Sequence, residues 1–253
     1  MNGRLSGSFD KYLPYMEKSQ FRNQSKKIFF NNNRKEKIII FPHCFYDYPH
    51  RFRHMIFNDF YEHALYFMKL SRVYDKYDWY YKPHPTSLPG HVNIHKVLLK
   101  KFPQINYINK DVSHRNILKL KPKCIITNHG SVAHEYASFK VPCINTGDNH
   151  HINYDFCIHA KSFSSLNRIM HNLDKYIKNI NFDNKKIYEF LYMHNFYYPN
   201  LHNEKKLIKD EYFITKNTKL NHSSKILGYL IKRDKINSKN ITQYINGILD
   251  KNF

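Results

Sequence analysis

The sequence predicts an α/β protein, a Rossmann-like parallel sheet with helices on both faces. Three observations predict it. Short apolar runs, Ile38-Ile39-Ile40-Phe41, Trp79-Tyr80-Tyr81 and Cys124-Ile125-Ile126-Thr127, read as strands buried on both faces. Segments with helical spacing separate them, the alternation that builds βαβ units. Residues rich in His, Asn, Ser and Asp follow the run ends, where ligands bind in such sheets.

The elements follow in order. Residues 1–36 are polar and rich in Asn and Lys, with no sustained period, so they read as an N-terminal extension or linker without a core. The first strand ends at Pro42. Asn58 or Asp59 caps a helix whose apolar positions are Phe60, Ala64, Phe67, Met68 and Val73. Pro83 and Pro85 halt the second strand. A helix spans Val92 to Phe102 and a strand Ile105 to Ile108. Ser113 caps a short helix ending near Leu120. After the strand Cys124 to Thr127, Ser131 to Lys140 reads as a helix and Val141 to Asn145 as a strand. Ser162 caps a further helix through Leu166, Ile169, Met170 and Leu173, with helical stretches at Ile187 to His194 and Ile241 to Leu249. The organisation expected is an extension (1–36), a Rossmann-like domain (37–180) and a helical, basic C-terminal tail (181–253).

Hydrophobic residues at 42% and aromatics at 16% exclude a disordered polymer of low hydrophobicity. Lys and Arg number 41 against 20 Asp and Glu, a net +21 that attracts polyanions: nucleic acid, anionic lipid, nucleotide phosphates or acidic glycans. The lysines are scattered in short runs such as Lys26-Lys27, Lys100-Lys101 and Lys185-Lys186, a pattern that a solvated surface also explains. No recognised nucleic-acid-binding motif accompanies the charge, which argues against that partner. Cys44, Cys124, Cys143 and Cys157 form no C-x-x-C pair and suit a reducing cytoplasm. No signal-peptide stretch and no run of roughly 18 apolar residues occurs. The expectation is a cytoplasmic protein, soluble or peripheral at the inner face of the cytoplasmic membrane through anionic lipid.

Three stretches carry candidate chemistry. In Asn128-His129-Gly130-Ser131, a strand runs through glycine into a helix, leaving first-turn N–H groups to meet an anion at the crevice. Gly130 admits a phosphate and the Ser131 hydroxyl adds a donor; the bland alternative makes Ser131 an N-cap only. Glu135, one turn on, is placed for a ribose or is a solvent-exposed glutamate. In Lys82-Pro83-His84-Pro85, two prolines fix the backbone around His84, and Lys82 shares its face, so both can hold phosphate oxygens or protonate a leaving phosphate. A histidine between prolines is also commonly structural. His43 and Asp47 follow the first strand, where a general base meets an acceptor. His50 with His54, and His91 with His95, have i, i+4 spacing, but no H-E-x-x-H accompanies them and no metal is expected.

With these residues in view, the chain resembles bacterial capsule and surface-polysaccharide biosynthesis proteins, GT-B-type glycosyltransferases related in their sugar-nucleotide half to sialyl-, Kdo- and glycerophosphate transferases. The resemblance runs from about Lys37 to Ser165. It rests on Phe41-Pro42-His43-x-Phe45-x-Asp47, on Phe57-x-Asp59-Phe60-Tyr61-Glu62, on Trp79-x-x-Lys82-Pro83-His84-Pro85, and on Asn128-x-Gly130-Ser131-x-x-x-Glu135-Tyr136-Ala137 followed by Val141-Pro142. It implies one half of a GT-B fold, the C-terminal, donor-binding half. His84 and Ser131 would hold the phosphates of a CMP- or NDP-linked sugar and Glu135 would contact sugar or ribose, with no metal or other cofactor required. The implied acceptor is a glycan or a lipid-linked glycan. The 36 residues before the first strand are too few for a second Rossmann-like domain, so a partner chain or a missing N-terminal domain is implied. The alternatives are a CDP-polyol phosphotransferase of the same fold, a non-catalytic partner subunit and a basic nucleic-acid-binding protein.

Overall fold

The computed structural model describes residues 5, 19–22, 34–45, 47, 54–85 and 89–194. They form a six-stranded parallel sheet in the order β3-β2-β1-β4-β5-β6, with strands β1 (Lys37–Phe41), β2 (Asp78–Tyr81), β3 (Asn106–Tyr107), β4 (Cys124–Thr127), β5 (Cys143–Asn145) and β6 (Ile158–His159). Helices α1 (Phe60–Val73), α2 (Pro89–Lys101), α3 (His114–Leu118), α4 (Val132–Ala137), α5 (Phe163–His171), α6 (Leu173–Lys178) and α7 (Asn184–Tyr192) connect and cover it. The central strand β1 pairs with β2 on one side and β4 on the other, with Ile39 opposite both Tyr80 and Ile125.

Alternation along the strands divides the core into two layers. Ile38, Ile40, Trp79, Tyr81 and Ile126 face one layer with α1, α2 and α5, whereas Ile39, Phe41, Tyr80 and Ile125 face the other with α3, α4 and α7. Helix α1 starts where Asp59 accepts the Glu62 N–H at 2.6 Å, and the Glu62 carboxylate reaches back to the Asn58 N–H at 2.8 Å. It buries Phe60, His63, Ala64, Phe67, Met68 and Ser71. Val73, expected on that apolar face, is 72% exposed because the stripe has rotated off the core by the last turn.

Other departures have local causes. Phe21 is fully buried, and the Gln20 carbonyl accepts the His114 N–H at 2.8 Å, so a piece of the supposed extension belongs to the second layer. Helix α2 begins at Pro89, where proline suits a first turn. The chain after Ser162 breaks at Asn172 into α5 and α6. Strand β6 is two residues long, too short for any periodicity to reveal. Helix α7, assigned from sequence to the tail, buries Ile187 and Phe190 in the second layer, so this compact unit extends to His194. The stretch Ile241 to Leu249 lies outside the described residues. No described helix is long and apolar enough to cross a membrane.

Two chain reversals use residues with positive φ, Lys121 at 49° and Lys140 at 57°. Lys140 closes α4 in a Schellman-type turn: its N–H bonds the Ala137 carbonyl at 2.9 Å and the Val141 N–H bonds the Tyr136 carbonyl at 3.0 Å.

Candidate functional site

In the order β3-β2-β1-β4-β5-β6 the direction of winding reverses between β1 and β4. The connections leaving these two strands diverge to opposite faces and open a crevice at their carboxyl ends. Pro42-His43 leaves β1, Lys82 to Pro85 leaves β2, and Asn128-His129-Gly130 leaves β4, so three of the sequence-predicted stretches meet at one edge of the sheet.

Histidines dominate this edge. The His43 and His84 rings stack at 5.8 Å, and His43 also stacks on Phe60 at 4.4 Å. Phe60 meets His129 edge-on at 6.2 Å. Asp47, exposed, lies 3.3 Å from His43 Nδ1. His84 and Pro85 are half-buried. Burial drives the imidazoles towards their neutral forms. It lowers His43 against the opposing pull of Asp47, takes His84 down to about 3 with help from His43 and Lys82, and takes His129 down to about 4 with help from His43. His63, on α1, is fully buried and held at about 3 by burial and by His129 and His43; neither ring nitrogen has a hydrogen-bond partner among the described residues.

The Asn128–Ser131 turn is fixed from below. Thr146 Oγ donates to Asn128 Oδ1 at 3.1 Å, and Asn149 Nδ2 donates to the Asn128 carbonyl at 3.1 Å and to Asn145 Oδ1 at 2.7 Å. All four side chains are buried. The His129 Nδ1 lies 3.1 Å from the Asp148 carbonyl. A carbonyl only accepts, so Nδ1 carries the proton and Nε2 the lone pair. Glycine is required twice. A Cβ on Gly130 would lie 2.6 Å from Thr127 Oγ1, and one on Gly147 would strike the His129 ring and lie 2.6 Å from Asn128 Oδ1.

Several expected roles change in detail. The Gly130 N–H turns inward to Thr127 Oγ1 at 3.3 Å instead of facing the crevice. Ser131 occupies the N-cap position of α4 without a side-chain cap hydrogen bond, so the plain capping role is not what holds it. Lys82 is 1% exposed and donates to the Lys110 carbonyl at 3.1 Å. Burial lowers it to about 7, against the pull of Asp111 and, more weakly, Glu135. Glu135 is 2% exposed, which rules out the solvent-exposed alternative and places it in the interior near Lys82. His95 accepts or donates at 2.8 Å to the Tyr81 hydroxyl inside the core, and His91 lies 3.8 Å from Cys44 Sγ; among the described residues no group of three or more His, Cys, Asp or Glu side chains gathers as metal ligands would. His50 is outside the described residues.

Sequence reasoning missed His129, His63, Thr146 and Asn149. His63 had a signal, a polar residue at the spacing of Phe60 and Phe67 on the buried stripe of α1. Thr146 and Asn149 follow the strand that ends at Asn145, but only the pairing of β4 with β5 brings them under Asn128. A cavity of about 320 Å³ lined by Lys35, Arg72, Asp75 and Gln104 lies at the opposite, amino-terminal edge, apart from these groups.

Fold and site together define a doubly wound α/β domain with a polar crevice at its topological switch point. No family model matches the chain, and no curated protein matches it. Among solved structures it is similar to Thermosulfurimonas dismutans KpsC, a beta Kdo 2,4 transferase, at 14% identity and a TM-score of 0.42, over 64% of this chain and 48% of that one. It is similar also to the wall teichoic acid polymerase TagF, at 18% identity and a TM-score of 0.37, over 71% of this chain and 45% of that one. The chain thus spans less than half the length of either.

Proposed function

We propose that this chain is the donor-binding half of a glycosyltransferase that moves a sugar or sugar acid from a CMP- or NDP-linked donor to a bacterial surface glycan or its lipid-linked precursor at the cytoplasmic side of the membrane. The observation that carries this reading is the convergence of His43, His84 and the Asn128–Ser131 turn on the switch-point crevice, where an α/β sheet holds a nucleotide. A partner chain or a further domain supplies the acceptor site.

In this reading His84 and Ser131 donate hydrogen bonds to the donor phosphates, with Lys82 behind them as a reserve of positive charge and Glu135 near the ribose. Asp47 orients His43, whose Nε2 takes the proton of the acceptor hydroxyl as its oxygen attacks the anomeric carbon. The bond from that carbon to the phosphate oxygen breaks, and the nucleotide leaves with the electron pair. No metal is needed if the crevice donors take up the phosphate charge. His129, neutral with Nε2 as acceptor, suits a ligand hydroxyl better than a phosphate.

Calorimetric titration of the full chain with CMP, UDP and GDP tests the reading. One of them binds, and His84→Ala and Ser131→Ala each weaken it by roughly tenfold, the effect of about 1.4 kcal/mol for a hydrogen bond to a charged group, with unchanged circular dichroism. Equal affinity in both variants, or no nucleotide binding at all, refutes it.

A further inference from the structure

The charge of the described residues is unevenly divided between the two edges of the sheet. In a doubly wound parallel sheet every helix ends at the edge where the next strand begins. That amino-terminal edge collects Arg72 in the last turn of α1 and Lys76 beyond it, Lys100 and Lys101 at the end of α2, Lys121 after α3 and Lys140 after α4, all solvent-exposed. The acids at the same edge are Glu36 and Asp174, both held by Lys123, and the exposed Asp75; the six cations and Lys123 outnumber them, so the edge keeps a net positive charge.

Basic residues at helix ends are ordinary, because the macrodipole favours them. Two further observations go beyond that. Lys121 and Lys140 are the non-glycine residues with positive φ among those described, and both stand at reversals that glycine would make without strain. Each keeps a cation where the backbone favours none. Val73 and Phe139 then lie beside Arg72 and Lys140, exposed by 72% and 40%. Cations interleaved with exposed apolar side chains suit the boundary between lipid headgroups and acyl chains. Five of the six cations are lysines, flexible point charges fit for a diffuse array of headgroups; nucleic-acid surfaces favour arginine forks and aromatic stacking grooves.

We propose that the amino-terminal edge of the sheet is a docking surface for an anionic phospholipid bilayer, with Lys121 and Lys140 among its cations and Val73 and Phe139 as its apolar contacts. The surface lies at the opposite end of the strands from the crevice, so it stands whether or not the crevice holds a nucleotide.

Co-sedimentation of the full chain with vesicles tests it. The chain binds phosphatidylcholine vesicles doped with phosphatidylglycerol, does not bind phosphatidylcholine alone, and loses binding as salt rises. Lys121→Gly with Lys140→Gly removes two charges at positions that glycine prefers, so the fold persists. At about fivefold per lysine, vesicle affinity falls about 25-fold. Lys76→Gln with Lys101→Gln, which leaves both reversals untouched, gives a similar loss. Unchanged vesicle binding by both double variants overturns the proposal, as does equal binding to neutral vesicles. Salt-sensitive capture of a duplex oligonucleotide with vesicles ignored also overturns it, and assigns the edge to nucleic acid.

Discussion

The Nδ1–H of His129 bonds the Asp148 carbonyl, and the ring is braced by the bare Cα of Gly147. Gly147→Ala pushes a methyl group into that imidazole and into Asn128 Oδ1. The clash should cost about 1–3 kcal/mol, read as a lower midpoint in chemical denaturation, and nucleotide affinity should fall with it. A midpoint equal to wild type would mean that the loop gives way freely and that His129 is not held. At this scale the sequence was informative about which turns matter and poor about which atoms face the crevice. His43, Asp47 and His84 meet as their placement at strand ends implied. Lys82 and Glu135 were legible as polar groups beside the site, but their burial was not, because it depends on elements distant in sequence: Lys82 reaches the Lys110 carbonyl after β3, and Glu135 of α4 turns into the interior near it.

Helix α7 shows the same limit for an element. Its apolar spacing was readable near Ile187, but its attachment was not, because nothing local says which core it covers. Phe190 packs against His134, His151 and Phe156, and Ile187 joins it in the second layer. Phe190→Ala should therefore destabilise the domain by about 3–5 kcal/mol, the cost of deleting a buried aromatic, measured by urea titration. A loss below about 1 kcal/mol would return α7 to the status of a loosely attached tail. The long strands and α1 were readable because each carries a full apolar pattern. Strand β6 and the break at Asn172 were not, since two residues hold no period and the break, closed by the Asn172 side chain and N–H on the Arg168 carbonyl, leaves the apolar spacing from Ile169 to Leu173 intact.

Across the whole molecule, buried imidazoles set the response to acid. Burial holds His63 and His84 at about 3, His95, His129 and His159 at about 4, and His151 at about 2, against an ordinary 6.5. Below pH 6.5 the unfolded chain binds protons that the folded chain refuses, so the contribution of these histidines is full above that pH and is lost as pH falls towards 3 or 4. Lys82, at about 7 instead of 10.5, acts with the same sign in a higher window. Each such histidine withdraws up to about 1.4 kcal/mol per pH unit across that window, a large fraction of a typical domain's stability when several act together. Thermal melts between pH 8 and 4.5 should show a steep fall in Tm below about pH 6.5. A flat profile would place these rings in contact with water.

The reversal of winding between β1 and β4 also bears on how the chain acquires its crevice. β1 pairs first in sequence with β2, but its other neighbour, β4, follows only after α2, β3 and α3, so pairing Ile39 with Ile125 closes a long loop before the contact repays it. His43 and His129 cannot face one another until that step is complete. Refolding should therefore be slow beside that of helical proteins of this size, and the crevice should be among the last parts of the domain to exist.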